Sequence, residues 1–353
     1  MKKFFVFFVA VALTFFPVSK AQNYNLRFNR ITTADGISQN YVVCAYQDSK
    51  GFMWFGTQDG LNRYDGYNFK VYKHIPNDKT SLSENWIWNI YEDSKGYLWI
   101  GTFGGGACRF DRITETFKTY RNDPTDSNSI SHNTVWAFYE APDGALWIGT
   151  NNGLDLFNSE DETFTFFEPP GQSKNVFNVL PLSDDELIMS THEALLIFNI
   201  EDKEFQRIEH QPNNIKSIGK IESSLVTDTL GIFWAGSSND GLNRYDPVNN
   251  SVKRYYKNSA DPDNSLAQND VNDVYADKQG NIWAATSNGL SLMSFSGDKL
   301  LSAHNFYNDL IDPYSISGNY LSNIYESPSG EIWISGRDAL NRFERNNQKF
   351  EHR

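Results

Sequence analysis

GYLWIGTFGGGACRFDRITETFKTY, residues 96–120, is one copy of a unit that recurs along nearly all of the 353-residue chain. Aligned on its Trp99, the other copies centre on Trp54, Trp147, Trp234, Trp283 and Trp333, with Ile188 in the same place in a degenerate copy. The seven anchors are 45, 48, 41, 46, 49 and 50 residues apart. A period of 40–50 residues marks a repeat architecture in which each unit is one supersecondary element.

Four short strands fit each unit. Residues 85–92 (NWIWNIYE) are rich in β-branched and aromatic side chains, and Asp93-Ser94-Lys95-Gly96 supplies a turn whose glycine tolerates positive φ. Residues 98–102 and 107–111 form the next two strands, and residues 116–120 the fourth. One sheet of this size cannot bury both its faces, whereas radial stacking gives every sheet two neighbours. The expectation is an all-β, seven-bladed β-propeller of four-stranded antiparallel blades, one domain over residues 22–353.

The chain opens with Lys2 and Lys3, an apolar run from Phe4 to Phe16, Pro17, and a Ser19-Lys20-Ala21 cleavage pattern. Thirteen apolar residues fall short of the roughly 20 needed to span a bilayer, so residues 1–21 read as a cleavable signal peptide rather than an anchor. No membrane insertion by the mature chain is expected. The formal net charge of −13 becomes −16 once the three lysines of residues 1–21 are gone. That balance argues against nucleic acid and anionic membranes as partners and otherwise serves solubility. The two cysteines, Cys44 and Cys108, fall on different strands of different units and read as two buried free thiols, with a disulfide in an oxidising compartment as the alternative. With them and six scattered histidines there is no metal-ligand spacing, and no cofactor is expected.

Residues 26–31 read as a fourth strand without a blade: Phe28-x-x-Ile31 matches Phe69-x-x-Tyr72, Phe117-x-x-Tyr120 and Phe164-x-x-Phe167. Its expected partner is the third strand of the seventh unit, near residues 340–344, because an open edge would expose backbone and apolar surface. The tail 347–353 competes for that edge but is short and charged. Loops between units repeat as Ser81-Leu82-Ser83-Glu84-Asn85 and Ser129-Ile130-Ser131-His132-Asn133, whose Ser and Asn bond back to the backbone in turns. The fourth unit, residues 175–208, has lost its tryptophan and glycines and is taken as a divergent blade.

No G-x-S-x-G elbow, H-E-x-x-H helix or phosphate loop is present. The Asp in Asp93-Ser94-Lys95-Gly96 stands one place too far from the glycine for a sialidase-type box and reads as hairpin chemistry. Some aromatics stand outside the repeat. Trp86, Trp88 and Trp136 begin first strands, the innermost of each blade, and Tyr41 and Tyr320 share the column of Trp86. Amphipathic rings beside polar loops suit recognition, with packing between blades as the competing role. The apolar columns at Ile87 and Ile90 have opposite parity, which calls for a bulge and leaves the direction of Trp88 open. The candidate ligand contacts are Tyr41, Trp86, Phe103, His132, Trp136 and Arg337, all on the face of the inter-blade loops.

The phrase D-x-x-G-x-x-W-x-G-T-x-x-G-L-x-R-Y-D, complete from Asp48 to Asp65, followed by Phe-x-x-Tyr and S-[LI]-S-x-N, resembles the two-component regulator propeller repeats. The resemblance covers residues 26–350. It implies the periplasmic sensor region of a hybrid two-component system of gut Bacteroidetes, binding oligosaccharides from complex glycans and signalling to a histidine kinase. The family has two propellers, a β-sandwich, a membrane helix and kinase domains, so residues 22–353 are expected to be a first propeller cut inside its last strand. Implied partners are an oligosaccharide, downstream sensor domains or a second copy. This reading makes the chain non-catalytic; the alternative is an exported propeller enzyme of glycoside hydrolase or polysaccharide lyase type.

Overall fold

The computed structural model describes residues 26–211 and 214–344. The signal-peptide expectation and the tail 347–353 lie outside them. Seven four-stranded antiparallel sheets follow one another as seven blades. Blade 2 is Ile87–Glu92, Leu98–Thr102, Ala107–Asp111 and Thr116–Tyr120, and the other blades repeat this meander. The fourth unit is a blade, with strands Asn178–Pro181, Glu186–Ser190, Ala194–Asn199 and Phe205–Glu209. Ile188 stands in the anchor column, since Thr191 three residues on bonds the Ala194 carbonyl as Thr150 bonds that of Gly153.

The anchor tryptophans hold the ring together because each lies between its own blade and the next. Trp54 meets Phe110 of blade 2 at 5.5 Å between ring centroids, Trp99 meets Phe157 of blade 3 at 4.9 Å, and Trp147 meets Phe198 of blade 4 at 5.6 Å. Trp333 of blade 7 meets Tyr64 of blade 1, which stands in the column of Phe110, at 6.2 Å, so the same contact crosses the closure. These anchors are almost fully buried, and truncating one to alanine costs on the order of 3–5 kcal/mol. The glycine two places after the anchor exists for the same approach. A Cβ on Gly101 would stand 2.7 Å from the Val135 carbonyl oxygen, and one on Gly149 2.5 Å from that of Val176.

The aspartate six residues before the anchor is more than a turn former. Asp48 accepts from the backbone N–H of Lys50 and Phe52 with Oδ1, and from Trp54 Nε1 with Oδ2 at 2.7 Å. Asp93, Asp228 and Asp277 receive Trp99, Trp234 and Trp283 in the same way at 2.8, 2.8 and 3.0 Å. Blades 3 and 7 carry Ala141 and Ser327 there, and in these two the buried Nε1 of Trp147 and of Trp333 has no partner among the described residues.

Closure is as expected. Asn29–Ile31 pairs antiparallel with Leu340–Glu344, Asn29 opposite Arg342 and Ile31 opposite Leu340. Phe28 is buried against Phe343 at 5.8 Å, and Arg30 donates to the Ser315 carbonyl at 3.0 Å. The inter-blade loops are also tied as read. Ser81 Oγ bonds the Asp78 carbonyl, Asn85 Oδ1 accepts from His74 N–H, and Ser129 and Asn133 repeat both contacts in the next loop.

Buried polar residues on the third strands complete this fastening. Asn62 Oδ1 accepts from Ser38 N–H, Asn243 from Gly219 and Asn341 from Ser317, at 2.7–2.8 Å. Asp155 fills that column in blade 3, taking Ser131 N–H at 3.0 Å and Ser131 Oγ at 2.6 Å. Burial pushes its carboxyl up to about 6. Cys108 fills the column in blade 2, with Sγ donating to Ser83 Oγ at 3.0 Å. Both cysteines are free, Cys108 buried and Cys44 partly exposed.

Candidate functional site

The first strands line a channel along the ring axis, and at one end it opens into a cavity of about 560 Å³ to which all seven blades contribute. The wall is shaped by a bulge. In blades 1, 2, 3, 6 and 7 the ladder between first and second strands shifts by one residue after its first pair, at Val42/Cys44, Ile87/Asn89, Val135/Ala137, Val271/Asp273 and Leu321/Asn323. The residues skipped are Val43, Trp88, Trp136, Asn272 and Ser322, and all five line the cavity. An extra residue on one strand of a ladder re-aims its side chain. The direction of Trp88 is thereby settled: it faces the channel.

From blade 2 to blade 4 the mouth is aromatic. Trp86 lies against Phe103 at 4.4 Å, and Trp88 meets Trp136 edge-on at 4.6 Å. Trp136 meets Phe177 at 5.2 Å, and Phe177 meets His192 at 4.7 Å. The arc continues on blades 7 and 1, where Tyr41 stands beside Tyr320 and the Arg337 guanidinium lies 4.0 Å from the Tyr320 ring. Burial raises the Tyr41 phenol above its ordinary range, so it stays a neutral hydrogen-bonding group.

Blades 5 and 6 and part of blade 7 face this arc with polar groups: Ser224, Ser238, Asp270, Asn272, Asp273 and Asn323. Asp273 is buried, and burial pushes its carboxyl up to about 6. Its Oδ2 accepts from Ile324 N–H at 2.6 Å and Asn323 Nδ2 at 3.0 Å, fixing blade 6 to blade 7. Asn272 Nδ2 donates to the Leu321 carbonyl at 2.6 Å, and Ser322 Oγ to that of Val42 at 3.1 Å. These bonds run from blade to blade, so the polar wall is pre-formed.

Of the candidates read from sequence, Tyr41 and Trp136 line the cavity. Trp86 and Phe103 form a second layer behind Trp88, with Phe103 partly exposed, and Arg337 caps Tyr320 from the rim. His132 is not among the lining residues. Its Nδ1 accepts from Thr134 N–H at 2.9 Å, and burial lowers its pKa, so the neutral ring caps its own loop. Phe177, His192, Asp270, Asn272, Asp273 and Asn323 escaped the sequence reading. The skipped position itself was the available signal, since it aligns Val43, Trp88, Trp136, Asn272 and Ser322 in one column.

The two component regulator propeller family matches at residues 36–59, 81–104, 129–152 and 265–288, each running from an inter-blade loop through the second strand. Histidine kinase P4 of Formosa agariphila is 45% identical over 76 residues, which are 21% of this chain and 6% of the kinase. The extracellular domain of a putative hybrid two component system from B. thetaiotaomicron shares the fold at a TM-score of 0.73 and 23% identity, over 90% of this chain and 42% of that one. Virginiamycin B lyase from Staphylococcus aureus does so at 0.64 and 14%, over 90% and 98%. The chain thus spans less than half of the kinase and of the sensor domain it resembles. Matches on blades 1, 2, 3 and 6 carry the similarity: the chain resembles the two-component regulator propeller family in four of its seven repeats.

Proposed function

We propose that this chain is the ligand-sensing propeller of a hybrid two-component system, exported to the periplasm, non-catalytic itself, and responsive to oligosaccharides. The observation that carries this reading is the division of the channel mouth into an aromatic arc and a pre-bonded polar wall. Sugar rings have apolar faces and hydroxylated edges, and a stack of indoles opposite amides and carboxyls matches both. A cavity near 560 Å³ suits a small saccharide, within the ~300–1,000 Å³ usual for small-molecule sites. The enzyme reading needs two carboxylates on opposite sides of a scissile bond. Both channel aspartates, Asp270 and Asp273, come from the start of blade 6, and Asp273 is engaged with blade 7.

The test is calorimetric titration with a panel of plant and animal oligosaccharides, run beside a reducing-sugar assay on the parent polysaccharides. Binding without turnover is expected, and Trp88→Ala should weaken it about tenfold, the loss of roughly 1.4 kcal/mol of ring contact. Turnover of any glycan would favour the enzyme reading. Unchanged affinity in Trp88→Ala would remove the channel mouth as the site.

A further inference from the structure

We infer that the groove between blades 5 and 6 is an oxyanion site, built to take a carboxylate or sulfate on the guanidinium of Arg244. It lies on the outer strands, away from the channel, and does not depend on the sensing proposal.

The repeat supplies the comparison. Arg63, Arg109 and Arg244 occupy one position, each paired across the ladder with the anchor tryptophan of its blade. In blades 1 and 2 the next blade sends a glutamate to meet it. Glu115 takes Arg63 at 3.2 Å together with Lys70 and Tyr72, and Glu162 takes Arg109 at 3.0 Å together with Lys118 and Tyr120. In blade 5 the next blade turns at Gly297-Asp298, and it is the Asp298 backbone carbonyl that receives Tyr255 Oη and Lys253 Nζ, both at 2.6 Å. A neutral carbonyl stands where the other blades place a carboxylate, and the Asp298 side chain goes to Lys253 at 3.0 Å.

Arg244 is therefore left over. It is only 8% exposed, its buried Nε has no partner, and it donates no hydrogen bond among the described residues. Its nearest acid, Asp246, is 3.6 Å away and held by Asn249 N–H and Nδ2. Buried charged groups are almost always hydrogen-bonded, and a guanidinium whose one ion pair is at 3.6 Å, with no hydrogen bond, departs from that rule. It borders a groove of about 680 Å³ that also holds Lys216, whose ammonium has no ion pair among the described residues, the apolar edges of Val252 and Tyr256, and two carboxylates, Asp246 beside Asn249 and Asp298 on Lys253. Lys253 and Arg254 also line it but are paired with Asp298 and Asp240. A planar fork matches an oxyanion bidentately, and a carboxylate there would restore what Glu115 and Glu162 do internally. The adjoining apolar edges add room for the body of a sugar acid.

Calorimetric titration of the purified chain with sodium glucuronate, sodium sulfate and uncharged glucose, at ionic strength matched with chloride, tests this. One saturable site for glucuronate or sulfate is expected, with none for glucose. The tighter of the two anions identifies whether the source is a sugar acid or the inorganic ion. Arg244→Gln should weaken binding at least tenfold, and Lys216→Glu, an exposed position that leaves folding intact, should abolish it. The proposal is overturned by the absence of a saturable site, by equal affinity in Arg244→Gln, or, if that variant does not fold, by unchanged affinity in Lys216→Glu.

Discussion

Asp155→Asn should stabilise this protein at neutral pH and do nothing for it in acid. Asp155 is fully buried on the third strand of blade 3, in the column that blades 1, 5 and 7 fill with asparagine. Its folded-state pKa stands near 6, against 3.8 for the free side chain, and burial is the largest cause. Below pH 3.8 the carboxyl is protonated in both states and costs nothing. As pH rises from there to 6 the unfolded chain loses its proton while the fold retains it, so stability falls across that window and stays lower above it. A shift of this size corresponds to about 3 kcal/mol at 1.36 kcal/mol per unit. Asparagine keeps the Oδ1 that accepts from Ser131 N–H, and its Nδ2 would meet Ser131 Oγ as Asn62 Nδ2 meets Ser38 Oγ at 2.9 Å. Calorimetric melting of both proteins at pH 7.5 and pH 4 should show Asp155→Asn ahead by a few degrees at the higher pH, at roughly 2 °C per kcal/mol for a chain this long, and level at the lower. Asp273 titrates over the same range in both proteins and cancels in the difference. Equal melting temperatures at both pH values, or an asparagine variant that melts lower at pH 7.5, would refute the reasoning.

Three further outcomes follow from the repeat and its closure. Ala141→Asp should stabilise blade 3 by roughly 1 kcal/mol, because its turn already has the geometry of Asp48, with Gly144 N–H on the Ala141 carbonyl at 2.8 Å, and the buried Trp147 Nε1 awaits an acceptor. A melting temperature that falls would show that the turn cannot aim the carboxylate at the indole. Phe28→Ala should cost about 3–5 kcal/mol by opening the closure between Asn29–Ile31 and blade 7, and removing residues 22–31 should lower the melting temperature well beyond removal of residues 347–353. If the two truncations melt alike, the N-terminal strand is not what closes the ring.

The ring was legible because the units repeat the same few contacts, with the anchor tryptophan kept in six of the seven. Trp99, Gly101, Thr102 and Arg109 each recur with one job. The function of the repeated aspartate was harder to read, because Asp93 looks complete as a turn residue and nothing in the sequence shows that its second oxygen meets the Trp99 indole on the following strand. The asparagine column was harder still. Asn62 sits in a strand whose alternation marks it only as polar, and nothing in the sequence says that the polar atom faces an inter-blade loop. The channel was half legible. Aromatic type brought Tyr41 and Trp136 forward, but Phe177 lies in the blade that lost its glycine markers, and Asp273 and Asn323 resemble ordinary surface polars.

What separates scaffold from function here is the bulge. A regular ladder would alternate the first strand between the two faces of its blade, and every side chain there would serve packing against a neighbour. Skipping one residue frees a position that neither face of the blade claims, and in five blades that residue lines the cavity. Those positions hold Val43, Trp88, Trp136, Asn272 and Ser322, four kinds of side chain where the adjoining column is uniformly apolar, with Val42, Ile87, Val135, Val271 and Leu321. Uniformity is what inter-blade packing demands; a lining that varies around the ring can meet a ligand with a different group on every side. The same contrast holds at Arg244, where the repeated arginine is kept and only its partner from the next blade is changed. In both places groups face open space that the packing contacts between blades do not occupy.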